Sequence, residues 1–333
     1  MSLRGLPERI RRPWPDRRAE RTLGAASLLT CVGVVAMLVF VAVHAWPTFE
    51  HNGLAWLGPG GNVDAQLSNM ASTGSNPGAS AYHLRAWPII YGTLLTTGIA
   101  LVLAVPTALL SSVFIVEFAP KTLRRVTIPV VRLLAAVPSV IYGLIGVLVL
   151  VPFVGNDIIT PSQKVAHEHV VELTGKSVGV AALVLAVMIT PIMVALISEA
   201  LSAVPDSWRE GAAARGVHRL RATMAVSLRA IRPAIVAAAA LACARALGEA
   251  IMILMVSGGR AFAPNLGEGP EALLDPIRTL ASTIVGNAEA LGGASALKSS
   301  MYAFALLLLF SAVILSIASY MIKLPLRKYQ VKG

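Results

Sequence analysis

The sequence has few charged side chains for its length. Only 14% of its 333 residues are Asp, Glu, Lys or Arg, whereas a water-soluble domain carries roughly a quarter. Hydrophobic residues make up 56% of the chain, and they are gathered in continuous runs long enough to cross a bilayer as helices. Apolar and polar residues do not alternate along these runs, which excludes a membrane β-barrel. The sequence therefore predicts an all-α integral membrane protein.

Cysteine and clustered metal ligands are also scarce. Cys31 and Cys243 both lie inside apolar runs, where we expect packing residues and no disulfide or metal site. The pair His167 and His169 stands in a polar stretch and is expected to be solvated surface. No cluster of His, Asp or Cys stands inside an apolar run, which disfavours a membrane-embedded enzyme. We therefore predict no metal ion, no cofactor and no catalytic residue in this chain.

Six apolar runs predict six membrane spans: 23–45, 89–118, 128–154, 178–203, 233–256 and 300–322. Trp46-Pro47 is expected to end the first span. The predicted organisation is an Arg-rich segment (1–22), the first span (23–45), an external loop (46–88), a core membrane domain (89–322) with an internal connection at 204–232, and a basic tail (323–333). We expect the external loop to be irregular, with a short amphipathic piece at 54–57, and residues 119–127 to form a tight turn.

The basic residues are distributed unevenly among these segments. The segments assigned to the inner side hold 20 of the 28 Lys and Arg residues, and the outer loops hold 6. This asymmetry predicts that both termini are cytoplasmic. It also assigns the net charge of +11 to membrane topology and contacts with lipid headgroups, so no nucleic-acid partner is predicted. Arg132, one turn inside the third span, is expected to extend its side chain to the inner face.

Arg245 and Glu249 place two opposite charges near the middle of the fifth run. A charge at that depth costs about 2.5–3.5 kcal/mol even on lenient insertion scales. On a continuous helix the spacing of four residues brings both side chains to one face, near enough to pair. Such a pair faces protein or water, and it is either part of a transport path or a structural pair that joins two helices.

Pro138 falls at mid-depth in the third run, with Ser139 and Tyr142 beside it. A proline there opens the hydrogen-bond ladder of a membrane helix, and polar neighbours can satisfy the freed backbone groups. Ser139 and Tyr142 therefore either cap this break or line a polar path.

The internal connection at 204–232 begins with a helix-start signal. Pro205, followed by Asp206 or Ser207, predicts a helix start, and Gly216 predicts its end. We expect this short helix to dock on another protein, with an amphipathic helix lying on headgroups as the alternative. The fifth span is expected to continue directly from this connection, so that a force applied here would reach Arg245 through one continuous element.

The same connection resembles the Glu-Ala-Ala loop of the permease subunits of bacterial ABC importers. The family pattern is met by Glu210, Ala212, Ala213 and Gly216, although Gly211 replaces the first Ala and Leu228-Arg229 replaces the Leu-Pro that ends the loop. The resemblance implies a type I, MetI-like permease fold of six helices with a cytoplasmic coupling helix, in which 89–322 is the core permease domain. It also implies that the coupling helix sits in a groove of a cytoplasmic ATPase.

Two further segments, Ala135 to Leu144 and Arg245 to Glu249, are similar to signatures of the phosphate-specific permeases, and the chain looks more like the PstC-type subunit than the PstA-type. The resemblance implies alternating-access import of inorganic phosphate across the bacterial plasma membrane, with Arg245 and Glu249 taking part in its passage and ATP hydrolysed only on partner subunits. The implied partners are a PstA-like permease, a dimeric PstB-like ATPase and an external PstS-like phosphate-binding protein. A permease for another oxyanion, sulfate or molybdate, is the alternative, followed by a stand-alone channel, which would not need so long an internal connection.

Overall fold

The computed structural model describes residues 17–167 and 173–326. Most of the predicted Arg-rich segment, most of the basic tail and most of the stretch from His167 to His169 therefore lie outside the described residues. The described residues form helices and connecting turns, together with an isolated β-bridge between Gly258 and Ile277.

The α-helices follow one another as α1 (Arg17–Asn52), α2 (Val63–Ser72), α3 (Trp87–Val113), α4 (Lys121–Ala135), α5 (Ser139–Ile145), α6 (Val151–Phe153), α7 (Pro161–His167), α8 (Val178–Ser202), α9 (Asp206–Ala213), α10 (Arg219–Ala222), α11 (Leu228–Ala230), α12 (Arg232–Leu247), α13 (Ile251–Val256), α14 (Leu280–Gly286) and α15 (Ser295–Leu326). Wider π-helical turns occupy Phe114–Phe118, Gly146–Leu150, Val154–Ile158 and Thr223–Ser227. Tighter 3₁₀ turns occupy Gly53–Leu57, Ala79–Tyr82, Leu266–Leu273 and Ala288–Gly292.

The prediction of an all-α membrane protein is confirmed, and the predicted six spans are reached when one bent pair of helices is counted as a span. The third span begins at Ser139 and not at residue 128 as predicted, because residues 121–135 form a separate amphipathic helix. Within the described residues, five helical stretches are long and apolar enough to cross a membrane: Glu20–Leu57, Ala79–Phe118, Ser139–Ile158, Val178–Ser202 and Ser295–Met321. The sixth consists of two pieces, Arg219–Ala230 and Arg232–Leu247, which meet at an angle of 68°.

Helix α8 is the centre of the larger core. Its sequence is apolar on every side, and a helix of that kind is buried by its neighbours. Leu185, Ile189, Met193 and Ile197 are fully buried and pack with side chains of α3 and α12 in one cluster. The elements that carry the predicted site residues are therefore arranged around α8.

The stretch after the first span is folded, in contrast to the irregular loop that we predicted. Trp56, Leu67 and Met70 are buried and pack in a second cluster with Phe304 of α15. The predicted amphipathic piece at 54–57 does form a 3₁₀ turn. This stretch is folded because it packs against α15. Its Gly, Ser, Asn and Pro content alone predicted a loop and gave no sign of that packing.

Pro47 lies inside α1 and does not end it. A proline in a helix removes one backbone hydrogen bond and crowds the preceding turn. The next residue, Thr48, donates its N–H to the hydroxyl of Ser299 on α15 at 3.1 Å, and the two hydroxyls lie 2.8 Å apart. These buried contacts between α1 and α15 hold the chain in helical geometry beyond the proline.

The predicted tight turn at 119–127 is also wrong. Pro120 has an extended conformation, and α4 begins immediately after it at Lys121. Helix α4 is strongly amphipathic, and none of its residues is fully buried. Arg132 on this helix lies 3.6 Å from the carboxylate of Glu199 on α8, with side chains 60% and 72% exposed. The sequence predicted an extended Arg132 side chain but not this partner.

Two glycines of α3 provide a test of how this helix packs against the backbone at Arg278. A Cβ atom on buried Gly92 would lie 2.6 Å from the carbonyl oxygen of Arg278, whereas a Cβ on Gly98 of the same helix would meet nothing within 4 Å. We expect Gly92→Ala to destabilise the purified protein by about 1–3 kcal/mol through overpacking. Gly98→Ala, the matched control, should be neutral or stabilising by up to about 1 kcal/mol. Thermal unfolding in detergent measures both, and equal stability of the two variants would contradict the packing described.

Candidate functional site

The chain is broken between α4 and α5 at Pro138, as predicted, but this proline stands immediately before the membrane-crossing stretch Ser139–Ile158 and not at its mid-depth. In an unbroken helix the carbonyl of Leu134 would accept the N–H of residue 138, but Pro138 has no N–H. The Leu134 carbonyl instead accepts the N–H of Val137 at 3.2 Å and the hydroxyl of Tyr142 at 3.0 Å. Tyr142 therefore caps the break at Pro138, which is one of the two roles left open for it. Ser139 lies in the first turn of α5 and is half-buried.

The fifth run is broken as well, in contrast to the continuous span predicted over 233–256. Helix α12 ends at Leu247, Gly248 follows as its cap, and α13 begins at Ile251. The carboxylate of Glu249 accepts the N–H of Met252 at 3.3 Å. A carboxylate that satisfies a free N–H at a helix start is a strong local alternative to a continuous helix, and this is the physical reason for the break.

The predicted pairing of Arg245 with Glu249 is therefore wrong. The two residues lie on opposite sides of the break, and no ion pair closer than 4 Å joins these two described side chains. Arg245 occupies the last turn of α12, where the negative end of the helix dipole favours a cation. Its side chain is exposed on the surface of the isolated chain.

The two breaks lie side by side. A Cβ atom on Gly143 of α5 would lie 2.9 Å from the sulfur of Met255 and 3.1 Å from the Cα of Met252 on α13, so α5 and α13 are in direct contact. Tyr142 lies within electrostatic range of the Arg245 guanidinium. The structure thus places α5, which carries Tyr142, against α13, whose first turn is bound by the Glu249 carboxylate.

The predicted coupling motif forms a short helix followed by a glycine turn. Helix α9 begins at Asp206 after Pro205, as the start signal predicted. The backbone carbonyl of Glu210 accepts the N–H of Ala214 at 2.8 Å, and the backbone carbonyl of Ala212 accepts the N–H of Val217 at 3.2 Å. Gly216 has φ +73°, a left-handed conformation that favours glycine at a helix end. Ala213 is the last residue of α9.

A pocket with several charged residues in its lining lies beside α9. Its volume is about 460 Å³, and its lining includes Glu117, Asp206, Glu210 and Arg219. The Arg219 guanidinium donates to the backbone carbonyl of Glu117 and lies 5.3 Å from the ring centroid of Phe118. Sequence reasoning missed these contacts because residues 117 and 219 are far apart in the chain and belong to no common motif.

The connection from α9 to α12 is not straight. The helical piece that ends at Ala230 meets α12 at 68°, with the change of direction at Ile231 (φ −95°, ψ 8°). Pro233 stands in the first turn of α12, a position that proline tolerates. The expectation of one continuous element from the coupling segment to Arg245 is therefore wrong, because both this bend and the glycine turn between α9 and α10 interrupt it.

A bundle with broken spans around a central helix and a short helix at one end is the architecture of an ABC importer permease. Residues 91–324 match the family described as "Binding-protein-dependent transport system inner membrane component", and the chain belongs to this family. A solved chain from a bacterial ABC transporter involved in the import of the acidic polysaccharide alginate has the same fold, with a TM-score of 0.53 and 15% identity over 96% of this chain and 99% of that one.

The curated relatives indicate a narrower class of permease than the family match does. The chain is 32% identical to "Phosphate transport system permease protein PstC 1" of Mycobacterium tuberculosis, over 80% of each chain. It is 29% identical to the PstC protein of Haemophilus influenzae over 96% of each chain. It is also 30% identical to "Probable ABC transporter permease protein YqgH" of Bacillus subtilis, over 86% of this chain and 84% of that protein. The resemblance to PstC-type permeases is confirmed.

The glycine turn after α9 gives a second prediction. Alanine at Gly216 must adopt a left-handed backbone, which costs about 1–2 kcal/mol, so we expect Gly216→Ala to loosen this turn. Gly211 lies within α9, and a Cβ there meets nothing within 4 Å, so Gly211→Ala should be neutral or stabilising. Limited proteolysis of residues 206–218 in the purified protein measures the difference. Faster cleavage of Gly211→Ala than of Gly216→Ala would contradict the prediction.

Proposed function

We propose that this chain is the PstC-type membrane subunit of an ATP-driven importer that moves inorganic phosphate across the bacterial plasma membrane by alternating access. The sequence similarity to PstC proteins supports the substrate. Family membership supports the role of a permease that works with a binding protein. The chain itself would hydrolyse no ATP, and energy would come from partner subunits.

The observation that carries this proposal is that, among the described residues, Arg245 lies deep along α12 and has no ion pair with Glu249. It lies 13 residues after the start of α12, which is about 20 Å along the helix at 1.5 Å per residue. At that depth a lone cation facing lipid is costly, yet the carboxylate four residues on does not neutralise it by contact. A guanidinium in this situation is available to a bound anion, and its planar fork of donors matches phosphate oxygens.

Glu249 gives this site its second property. Its carboxylate is fixed by the N–H of Met252, so a negative charge stays near Arg245 without occupying it. An arriving phosphate would find a free guanidinium and would also be repelled from the Glu249 side. Transport needs an anion site that is attractive enough to fill and weak enough to empty, and we assign the second requirement to Glu249.

Tyr142 and Ser139 complete the proposed anion path. The hydroxyl of Tyr142 bridges the break at Pro138 by binding the Leu134 carbonyl, and the tyrosine interacts electrostatically with Arg245. Ser139 stands one turn before it, where its hydroxyl can donate to a phosphate oxygen. A broken helix beside a site at membrane depth is tolerated where the freed backbone faces protein or a water-filled cavity.

The exposed Arg245 side chain also bears on the partners. A charge at this depth must be covered by protein or water in the membrane, and we propose that a second, PstA-like permease covers this face. A dimeric PstB-like ATPase would bind α9, and a PstS-like phosphate-binding protein would dock at the opposite end. The predicted orientation, with both termini in the cytoplasm, places α9 on the ATPase side.

The first test of the proposal concerns Arg245. In proteoliposomes containing the assembled complex, we expect Arg245→Ala to reduce labelled-phosphate uptake by at least about tenfold, because loss of a charge-assisted hydrogen bond costs roughly 1.5–3 kcal/mol. Arg245→Lys should recover little, since an ammonium lacks the fork. Near-normal uptake by assembled Arg245→Ala would refute the site. Stronger competition by sulfate or molybdate than by unlabelled phosphate would assign the permease to another oxyanion, and uptake without the ATPase would indicate a channel.

Glu249 offers a separate prediction, because two substitutions distinguish the effect of its negative charge from the effect of its hydrogen bond to the Met252 N–H. The amide oxygen of Glu249→Gln can still accept the Met252 N–H, so this variant loses only the negative charge. We expect it to bind phosphate more tightly but to transport it more slowly, whereas Glu249→Ala should lose stability and transport together. Phosphate binding to the complex and uptake rates measure both. Wild-type uptake by Glu249→Gln would show that the charge has no role.

A further inference from the structure

The coupling segment touches the bundle at a second place besides α12. Arg219 lies in α10, just after the glycine turn that ends α9. Its guanidinium donates to the carbonyl of Glu117 and lies over the ring of Phe118. Both residues belong to the π-helical turn that ends α3. One side chain therefore joins the segment beside α9 to the end of a membrane-crossing helix.

This contact is more direct than the covalent route to α12. Between α9 and α12 the chain passes through the π-helical turn Thr223–Ser227, through α11 and through the bend of 68° at Ile231. Arg219 lies before all three features. A displacement of α9 would therefore reach the end of α3 across one side chain, whereas it would reach α12 only after a π-helical turn and a bend.

From α3 the contact continues to the central helix, because Ala104 and Ala108 of α3 are buried in one cluster with Leu185 and Ile189 of α8. The buried hydroxyl of Ser112 donates to the carbonyl of Ala108 in its own helix at 2.7 Å and also lies 3.3 Å from the carbonyl of Val194 on α8. The next residues form the π-helical turn Phe114–Phe118. Single π-helical turns inside membrane helices are frequent at functional positions, because a widened turn can change its hydrogen bonding without unfolding the helix.

We propose that Arg219 is a positioning residue that transmits movement of the coupling segment to α3 and, through the packing of α3 against α8, to α8. This proposal rests on the proposed function, because the movement would come from a partner ATPase at α9. It goes beyond the family pattern, since Arg219 lies outside the Glu-Ala-Ala loop residues Glu210 to Gly216. The bend at Ile231 then serves as a hinge, and α3 carries the stroke.

The proposal is tested by the coupling ratio, the phosphate transported per ATP hydrolysed, in the reconstituted complex. Arg219→Ala should lower this ratio by about tenfold while ATP hydrolysis continues, because the ATPase would still close but α3 would not follow. Arg219→Lys keeps a donor and a charge and should restore most of the ratio. Arg221→Ala, an exposed arginine on the same helix, is the matched control and should leave the ratio unchanged. An unchanged ratio in Arg219→Ala, including the case in which uptake and hydrolysis fall together, would overturn the proposal.

A second measurement does not depend on phosphate. Hydrogen–deuterium exchange of the complex, with and without ATP and vanadate, should change in residues 206–213 and in residues 114–118. In Arg219→Ala the change at 206–213 should remain and the change at 114–118 should be lost. Persistence of the change at 114–118 would overturn the role of Arg219. If the unmodified complex transports no phosphate, the proposed function fails, and this exchange experiment still decides whether Arg219 transmits movement.

Discussion

The membrane interior offers no water to unpaired backbone groups, and this constraint determines how the two broken helices are built. At each break one side chain binds a backbone group beside it. The hydroxyl of Tyr142 joins the N–H of Val137 on the carbonyl of Leu134, and the carboxylate of Glu249 accepts the N–H of Met252. Without the Glu249 contact, the N–H of Met252 would be left unsatisfied in an apolar environment, at a cost of several kcal/mol.

The use of Glu249 as a helix cap has a consequence for charge. A carboxylate in contact with Arg245 would neutralise it permanently and would compete with any substrate anion. In the proposed function, a carboxylate held by the first turn of α13 leaves the guanidinium available to the anion and adds a repulsive charge. At the coupling segment, too, a single side chain makes the important contact. Arg219 joins this segment to α3, whereas the bend at Ile231 separates it from α12.

The sequence predicted those features that depend on local chemistry or on strong apolar runs. The six spans, the break at Pro138 and the start of α9 at Asp206 all followed from residue type. The continuous fifth span did not form, because Gly248 and the Glu249 cap together favour a break that hydropathy does not detect. The fold of residues 46–88 depends on packing of Trp56 and Met70 against α15, and the contact of Arg219 with residues 117 and 118 joins distant parts of the chain. Neither long-range contact leaves a pattern in one sequence.

The central claim is that the break at Pro138 opens onto an anion path beside Arg245. The most direct measurement uses Ser139→Cys in a complex in which Cys31 and Cys243 are replaced by alanine. A negatively charged, water-soluble thiol reagent should modify this position, and phosphate should slow the reaction. Ile141→Cys, two residues further on α5 and on another side of the helix, should react slowly and without protection. Absence of reaction at position 139, or a reaction rate that phosphate does not change, would contradict the account.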